Sequence, residues 1–213
     1  MEKVWIIGAG KFGLLAAKRL RKNYQILIVD TDSVRLRIFE DMKLTFVQND
    51  GVNYLAKNLS RNTDVAWIIP ALPVHLAWEW SRNKIGRSRL KPLVLPDKAL
   101  PLLPNPIRGK FSHIYTSHAE FVCPDNCSEP DLYCTHTGKP RKQDMDQLLE
   151  SISFGAFEPM VLKSHQLEPG VGGYRPKSLY NLLDRINQAN GPLLICTACR
   201  CHGVVTGAVR CAS

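Results

Sequence analysis

"VWIIGAGKFGLLAAKRL", residues 4–20, decides the fold of this chain. Residues 4–7 are a short run of branched and aromatic side chains, which suits a buried strand. Glycines then interrupt the run, and from Leu14 onward Leu14, Leu15, Leu20 and the intervening alanines suit a helix packed on a sheet. The order is strand, glycine turn, helix. In that context Gly8, Gly10 and Gly13 match G-x-G-x-x-G: Gly8 for the tight turn, Gly10 for close approach of backbone to a pyrophosphate, Gly13 for helix against strand. Lys11 and Phe12 fill the last two open positions of the motif, where the free N–H groups of a helix start make an anion site. A second strand, residues 24–30, ends at Asp30, about 20 residues beyond the glycines, where a carboxylate accepts hydrogen bonds from ribose hydroxyls. An acidic residue there favours NAD over NADP.

The alternation continues outward: helix over 33–42, strand over 43–48, helix over 51–59, strand over 64–70 and helix over 73–83, with residues 92–96 adding a fifth strand. Repeated β-α units predict an α/β fold with a parallel Rossmann-like sheet, right-handed crossovers and helices on both faces. The stretches "VWIIGAGKFGLLAAKRL", "ILIVDTD", "FVQNDGVNYL" and "DVAWIIPAL" resemble, in order and spacing, the nucleotide-binding domain of bacterial potassium-uptake regulators of the KTN/RCK type. The resemblance covers roughly residues 1–95. It implies an NAD(H) site in which Asp30 meets the ribose and Asp50 lies near the adenine. It ends there, and the remainder shows nothing of that family's ligand-binding C-terminal domain, so a role in potassium uptake is not carried over.

A chain of 213 residues that is 45% hydrophobic can bury a substantial core. Its first residues lack the apolar length and cleavage site of a signal peptide, and no apolar run reaches the ~18–20 residues that span a bilayer. The expected location is the cytoplasm, where thiols stay reduced and clustered cysteines bind metal or do redox chemistry. The formal charge of +9, from 28 basic and 19 acidic residues, is spread along the chain without aromatic interleaving, which argues against nucleic acid. The expected partners are a dinucleotide, a redox partner protein and a second copy of the chain in a homodimer.

Residues 92–106 hold five of the 14 prolines, and residues 96–110 read as a connector. Residues 111–213 then read as a smaller α+β cysteine-rich domain. Cys123, Cys127 and Cys134 lie in a C-x3-C-x6-C pattern among turn-forming residues, which can aim several thiolates at one point. Cys196 and Cys199 form C-x2-C at the end of a predicted strand, a spacing that lets two sulfurs chelate one centre. These five cysteines are the expected metal ligands, with one of the last pair completing a set of four. A competing zinc-ribbon-like set takes Cys123, Cys127, Cys196 and Cys199 and leaves Cys134 over. The nearly all-sulfur supply, the proline after Cys123 and the neighbouring nucleotide domain favour an iron–sulfur cluster over zinc. Cys201 reads as a reactive thiol and Cys211 as a spare one. His136 and His202 adjoin candidate thiols and can stand in for a cysteine at a zinc site, while His113 and His118 lie in a strand-like run. Gly170, Gly172 and Gly173, followed by Arg175 and Lys177, are either a second anion site or a loop that needs left-handed backbone, the latter being favoured.

No catalytic residue stands out. The expected function is an NAD(H)-binding redox protein with a cysteine-ligated metal centre, acting as oxidoreductase or electron-transfer component. The alternative is a non-catalytic nucleotide sensor or regulatory subunit with a structural zinc site.

Overall fold

In the computed structural model, which describes residues 1–110 and 112–211, the predicted β-α alternation is present. Strands β1 (Lys3–Ile7), β2 (Gln25–Asp30), β3 (Thr45–Gln48) and β4 (Trp67–Pro70) are linked by helices α1 (Lys11–Leu20), α2 (Ser33–Asp41) and α3 (Gly51–Asn58). They form one parallel sheet in the order β3-β2-β1-β4. The strand order reverses between β1 and β4, and the crevice at that switch point is where ligands bind in such sheets. Strand alternation explains the two faces. Val4, Ile6, Ile26 and Ile28 pack with Ala16, Ala17 and Leu20 of α1 and with Leu36 and Phe39 of α2. Trp5, Ile7 and Val29 point the other way, towards Leu55 of α3 and Trp78 and Trp80 of helix α4 (Leu76–Ile85).

The expected fifth parallel strand is not there. The strand near that position, β5 (Leu90–Pro92), pairs antiparallel with β12 (His202–Arg210) in a second sheet. Backbone pairing there goes instead to the second sheet, with Leu90, Lys91 and Pro92 opposite Arg210, Val209 and Ala208. The connector instead contains a short 3-10 turn over Asp97–Leu102 and the two-residue strand β6 (Ile107–Arg108). The remaining elements are β7 (His113–Ser117), α5 (Met145–Glu150), β8 (Glu158–Lys163), β9 (His165–Glu168), β10 (Val171–Gly173), α6 (Pro176–Gln188), β11 (Pro192–Ala198) and β12 (His202–Arg210). The second sheet runs β6-β7-β12-β11-β8 and is antiparallel except where β8 and β11 lie parallel. The expected start of the cysteine-rich domain at Phe111 and its last two residues lie outside the described residues.

The halves share a core. Met160, Leu162, Leu193 and Ile195 of the second sheet and Leu179, Leu182 and Ile186 of α6 join the cluster that backs α3 and α4. A smaller cluster on the opposite face of the second sheet holds Leu194, Cys196, Ala198 and Val205 against Met145 and Leu149 of α5. Among the described residues, no helix is long and apolar enough to cross a membrane.

Candidate functional site: a glycine turn and a thiol-lined cavity

The turn after β1 is built around backbone contacts. Gly8 has φ +117°, and a Cβ there would meet the Ala71 carbonyl oxygen at 2.5 Å. A Cβ on Gly13 would stand 1.9 Å from the Gly8 carbonyl oxygen, so helix α1 leans on the turn as closely as glycine permits. Gly10 is different. Its Cβ would meet nothing within 4 Å, so the fold itself does not demand glycine there. The space over Gly10 is what a pyrophosphate needs in order to approach the backbone.

Asp30 is buried at the end of β2. Its carboxylate accepts from the Ala9 N–H at 2.6 Å and from the Asp32 N–H at 2.9 Å, tying the glycine turn to the second strand. Each carboxylate oxygen keeps acceptor capacity for a ribose hydroxyl. Asp50 caps α3 by accepting from the Asn53 N–H at 2.8 Å. Lys11 and Phe12 open α1, and both are exposed. The Lys11 ammonium is 2.5 Å from a carboxylate oxygen of Asp125, and Phe12 lines the wall of a large cavity.

That cavity, about 910 Å³, is where the thiols meet. Cys123, Cys127, Cys134, Cys199 and Cys201 all line it. Three come from the irregular segment between β7 and α5, which is shaped by local turns: Cys127 N–H donates to the Pro124 carbonyl at 3.1 Å, and Gly138 N–H to the Cys134 carbonyl at 2.8 Å. Gly170 N–H and the Gln166 amide hold the Cys127 carbonyl at 3.0 and 2.8 Å. The two other thiols sit in the tight turn joining β11 to β12, closed by Cys199 N–H to the His202 carbonyl at 3.0 Å.

Arg141 organises the floor. Its side chain is only 6% exposed, and it donates to the Cys201 sulfur at 3.2 Å and to the backbone carbonyls of Pro130, Asp131 and Tyr133. Burial pushes the Cys201 thiol up to about 11, with the Arg141 charge opposing the rise. Burial and the neighbouring thiols Cys127 and Cys134 raise the Cys123 thiol, whereas hydrogen bonds from Thr137 lower that of Cys134. Burial thus favours the neutral thiol at Cys123 and Cys201.

Cys196 stays apart. It lies in β11 at 1% exposure among core side chains, its thiol donating to the Leu194 carbonyl at 3.4 Å, and burial raises it strongly. The structure does not bring the two sulfurs of the C-x2-C pair to one face: Cys196 packs against α5, while Cys199 lies beyond the strand end and lines the cavity. His118 lines the cavity with a buried Nε2 that has no hydrogen-bond partner among the described residues, and His202 stands at the rim. Glu129, which sequence reasoning passed over, also lines it, with left-handed backbone at φ +45°. Its carboxylate accepts from the Cys201 N–H at 3.1 Å. A lone glutamate among turn residues carries no signal that points to the site.

The Gly170–Gly173 stretch is the β9–β10 hairpin. Gly170 takes φ +67° and Gly173 packs against Ile68 and Ile69 of β4, while Arg175 stacks on Trp67 at 3.8 Å. Of the three glycines Gly170 alone has the left-handed backbone of the favoured expectation, while Gly173 serves close packing. His75 and His113 are buried elsewhere, both hydrogen-bonded to the Thr206 hydroxyl at 2.8 Å, with His75 also 2.9 Å from Thr197.

The parallel sheet, the glycine turn and Asp30 define the N-terminal part as a Rossmann-like dinucleotide-binding region, and residues 4–68 match the TrkA-N domain family. The chain belongs to the family described as "Uncharacterized protein, C-terminal domain", which matches residues 74–211 and so takes in α4, the second sheet and every cysteine. A protein of Archaeoglobus fulgidus, described as "Uncharacterized protein", is 29% identical over 221 residues, covering 96% of this chain and 98% of its own. That similarity runs through both halves of the chain.

Proposed function

We propose that this is an NAD(H)-binding redox protein of the reducing cytoplasm, in which the thiol-lined cavity holds an iron–sulfur cluster and the chain acts as an oxidoreductase or electron-transfer component. The observation that carries this reading is the join between the two sites. Asp125, set between Cys123 and Cys127, reaches Lys11 at the start of α1, and Phe12 lines the cavity wall. A dinucleotide on the glycine turn would therefore lie against the thiol segment.

For the dinucleotide, Gly10 supplies the open approach, Asp30 a carboxylate for the ribose and Asp50 an acidic group near the adenine. The acidic residue at the end of β2 supports NAD(H) over the phosphorylated form. For the cluster we assign Cys123, Cys127 and Cys134 of the expected set, with Cys201, read from the sequence as a reactive thiol, as fourth thiolate in place of Cys196 or Cys199. A bound cluster supplies one-electron transfer. Arg141 holds the Cys201 sulfur and favours its thiolate form, a hydrogen bond and charge of the type that tune a cluster's potential.

The test is iron and acid-labile sulfide analysis with a visible spectrum on anaerobically purified full-length protein, followed by NADH-dependent reduction of an artificial one-electron acceptor. Iron, sulfide and turnover are expected. Protein with neither iron nor NADH-dependent turnover overturns the redox reading.

One observation favours a second reading. The Lys11 ammonium that would meet a phosphate is already engaged by Asp125, so nucleotide binding competes with a contact made by the thiol segment. On this reading the protein is a non-catalytic sensor in which NAD(H) shifts that segment, with zinc as structural metal. NADH binding without turnover, in zinc-containing protein, would select it.

A further inference from the structure

We propose that Glu129, Cys199 and His202 form a separate site for a single divalent cation of the zinc class, beside the thiols assigned to the cluster. One carboxylate oxygen, the Cys199 sulfur and one imidazole nitrogen lie within 4.8 Å of one another, and among the described residues no other set of three such groups comes so close. The Cys199 sulfur is 3.8 Å from Nδ1 of His202. Two ligands of a tetrahedral zinc ion, with Zn–S near 2.3 Å and Zn–N near 2.0–2.1 Å, stand roughly 3.5 Å apart. The pair needs a shift of only a few tenths of an ångström.

Local structure explains the convergence. Cys199 and His202 flank the tight turn between β11 and β12, an i, i+3 spacing across one backbone reversal. Glu129 arrives from the other thiol-bearing segment, and its hydrogen bond from the Cys201 N–H fixes the carboxylate over that turn. A carboxylate and a thiolate set this close repel each other without a cation. A dication reverses this, because one carboxylate and one thiolate neutralise it while a neutral imidazole completes three protein ligands.

The donor set also separates this site from its neighbour. Oxygen, nitrogen and sulfur together suit zinc, whereas an all-sulfur set suits a cluster. Three protein ligands leave the fourth position of a tetrahedral ion for water or for a ligand entering from the cavity that all three residues line. That is the pattern of a reactive zinc rather than a closed structural one.

The test uses Co²⁺ as spectroscopic probe and Zn²⁺ as competitor on full-length protein prepared anaerobically, with iron measured in parallel. Wild type should bind one Co²⁺ with visible bands of a tetrahedral, single-thiolate site, and Zn²⁺ should displace it. Glu129→Gln, Cys199→Ser and His202→Gln should each weaken Co²⁺ binding at least tenfold, while Cys134→Ser keeps the Co²⁺ spectrum and loses iron. Circular dichroism on each variant separates loss of a ligand from loss of fold; should His202→Gln unfold, Glu129→Gln decides. Absence of a tight Co²⁺ site in wild type, unchanged affinity in folded Glu129→Gln and His202→Gln, or loss of the Co²⁺ spectrum in folded Cys134→Ser each overturn the proposal. Iron content and NADH-dependent turnover report the redox reading alone, so a protein with neither that still binds Co²⁺ through these residues refutes that reading and not this one.

Discussion

Substituting alanine at Gly10 and at Gly13 should separate binding from folding three residues apart. At Gly13 the new Cβ falls 1.9 Å from the Gly8 carbonyl oxygen and 2.9 Å from its carbon. Contacts under 3.0 Å are essentially never seen for a Cβ, so the helix or the turn must move by at least about 1.1 Å. Neither partner yields easily. Gly8 is held by its N–H to the Val29 carbonyl at 2.8 Å, and α1 is anchored by buried Ala16, Ala17 and Leu20. Overpacking against fixed groups costs about 1–3 kcal/mol, and two backbone clashes place Gly13→Ala near 3 kcal/mol. For a chain of this size that lowers Tm by roughly 6–12 °C. At Gly10 the Cβ enters open space with φ −72°, so Gly10→Ala should stay within about 1 kcal/mol of wild type, losing a little at the helix cap and gaining a little from a stiffer unfolded chain. Its NADH affinity, by contrast, should fall at least tenfold, about 1.4 kcal/mol, because the methyl occupies the pyrophosphate's approach. Calorimetric melting and NADH titration on both variants make the comparison. Equal destabilisation by the two substitutions, or wild-type NADH affinity in Gly10→Ala, refutes the reasoning.

Asp125→Asn should raise NADH affinity about two- to fivefold, the worth of one exposed ion pair, with the gain shrinking in high salt; an unchanged affinity at low salt would show that Lys11 does not serve the nucleotide. His75 is buried and its pKa is pushed down to about 3 by desolvation, first, and then by the His113 charge. The unfolded chain therefore takes up a proton near pH 6.5 that the folded chain refuses, so stability should fall as pH drops from about 6.5 towards 3, with a slope approaching ~1.4 kcal/mol per unit from this group. Denaturant melts across that range should show a flatter slope in His75→Gln. Cys196→Ala should leave iron and Co²⁺ content at wild-type levels while lowering stability by about 1–2 kcal/mol through the small gap left in the core; loss of metal in that variant would return Cys196 to the ligand set.

The parallel sheet and its nucleotide turn were legible in the sequence because each signal is local. Alternating apolar runs fix which side chains of β1 face α1 and which face α3, and a glycine motif followed by an acidic strand end needs few neighbours to be read. Even there, only the packed structure separates glycines that the fold requires, Gly8 and Gly13, from Gly10, which it leaves free. The cysteine half was legible as chemistry and not as geometry. Five of its seven thiols do gather at one cavity, and β11 ends where the sequence places its end, yet C-x2-C spacing could not tell that the strand turns Cys196 into the core. Strand parity is settled by pairing with β8 and β12, not by spacing between cysteines. Likewise β5 left the parallel sheet because its partner, β12, lies more than 100 residues further along the chain. Glu129 met Cys199 and His202 for the same reason: long-range packing brings together residues whose separation in sequence carries no information about their distance in space.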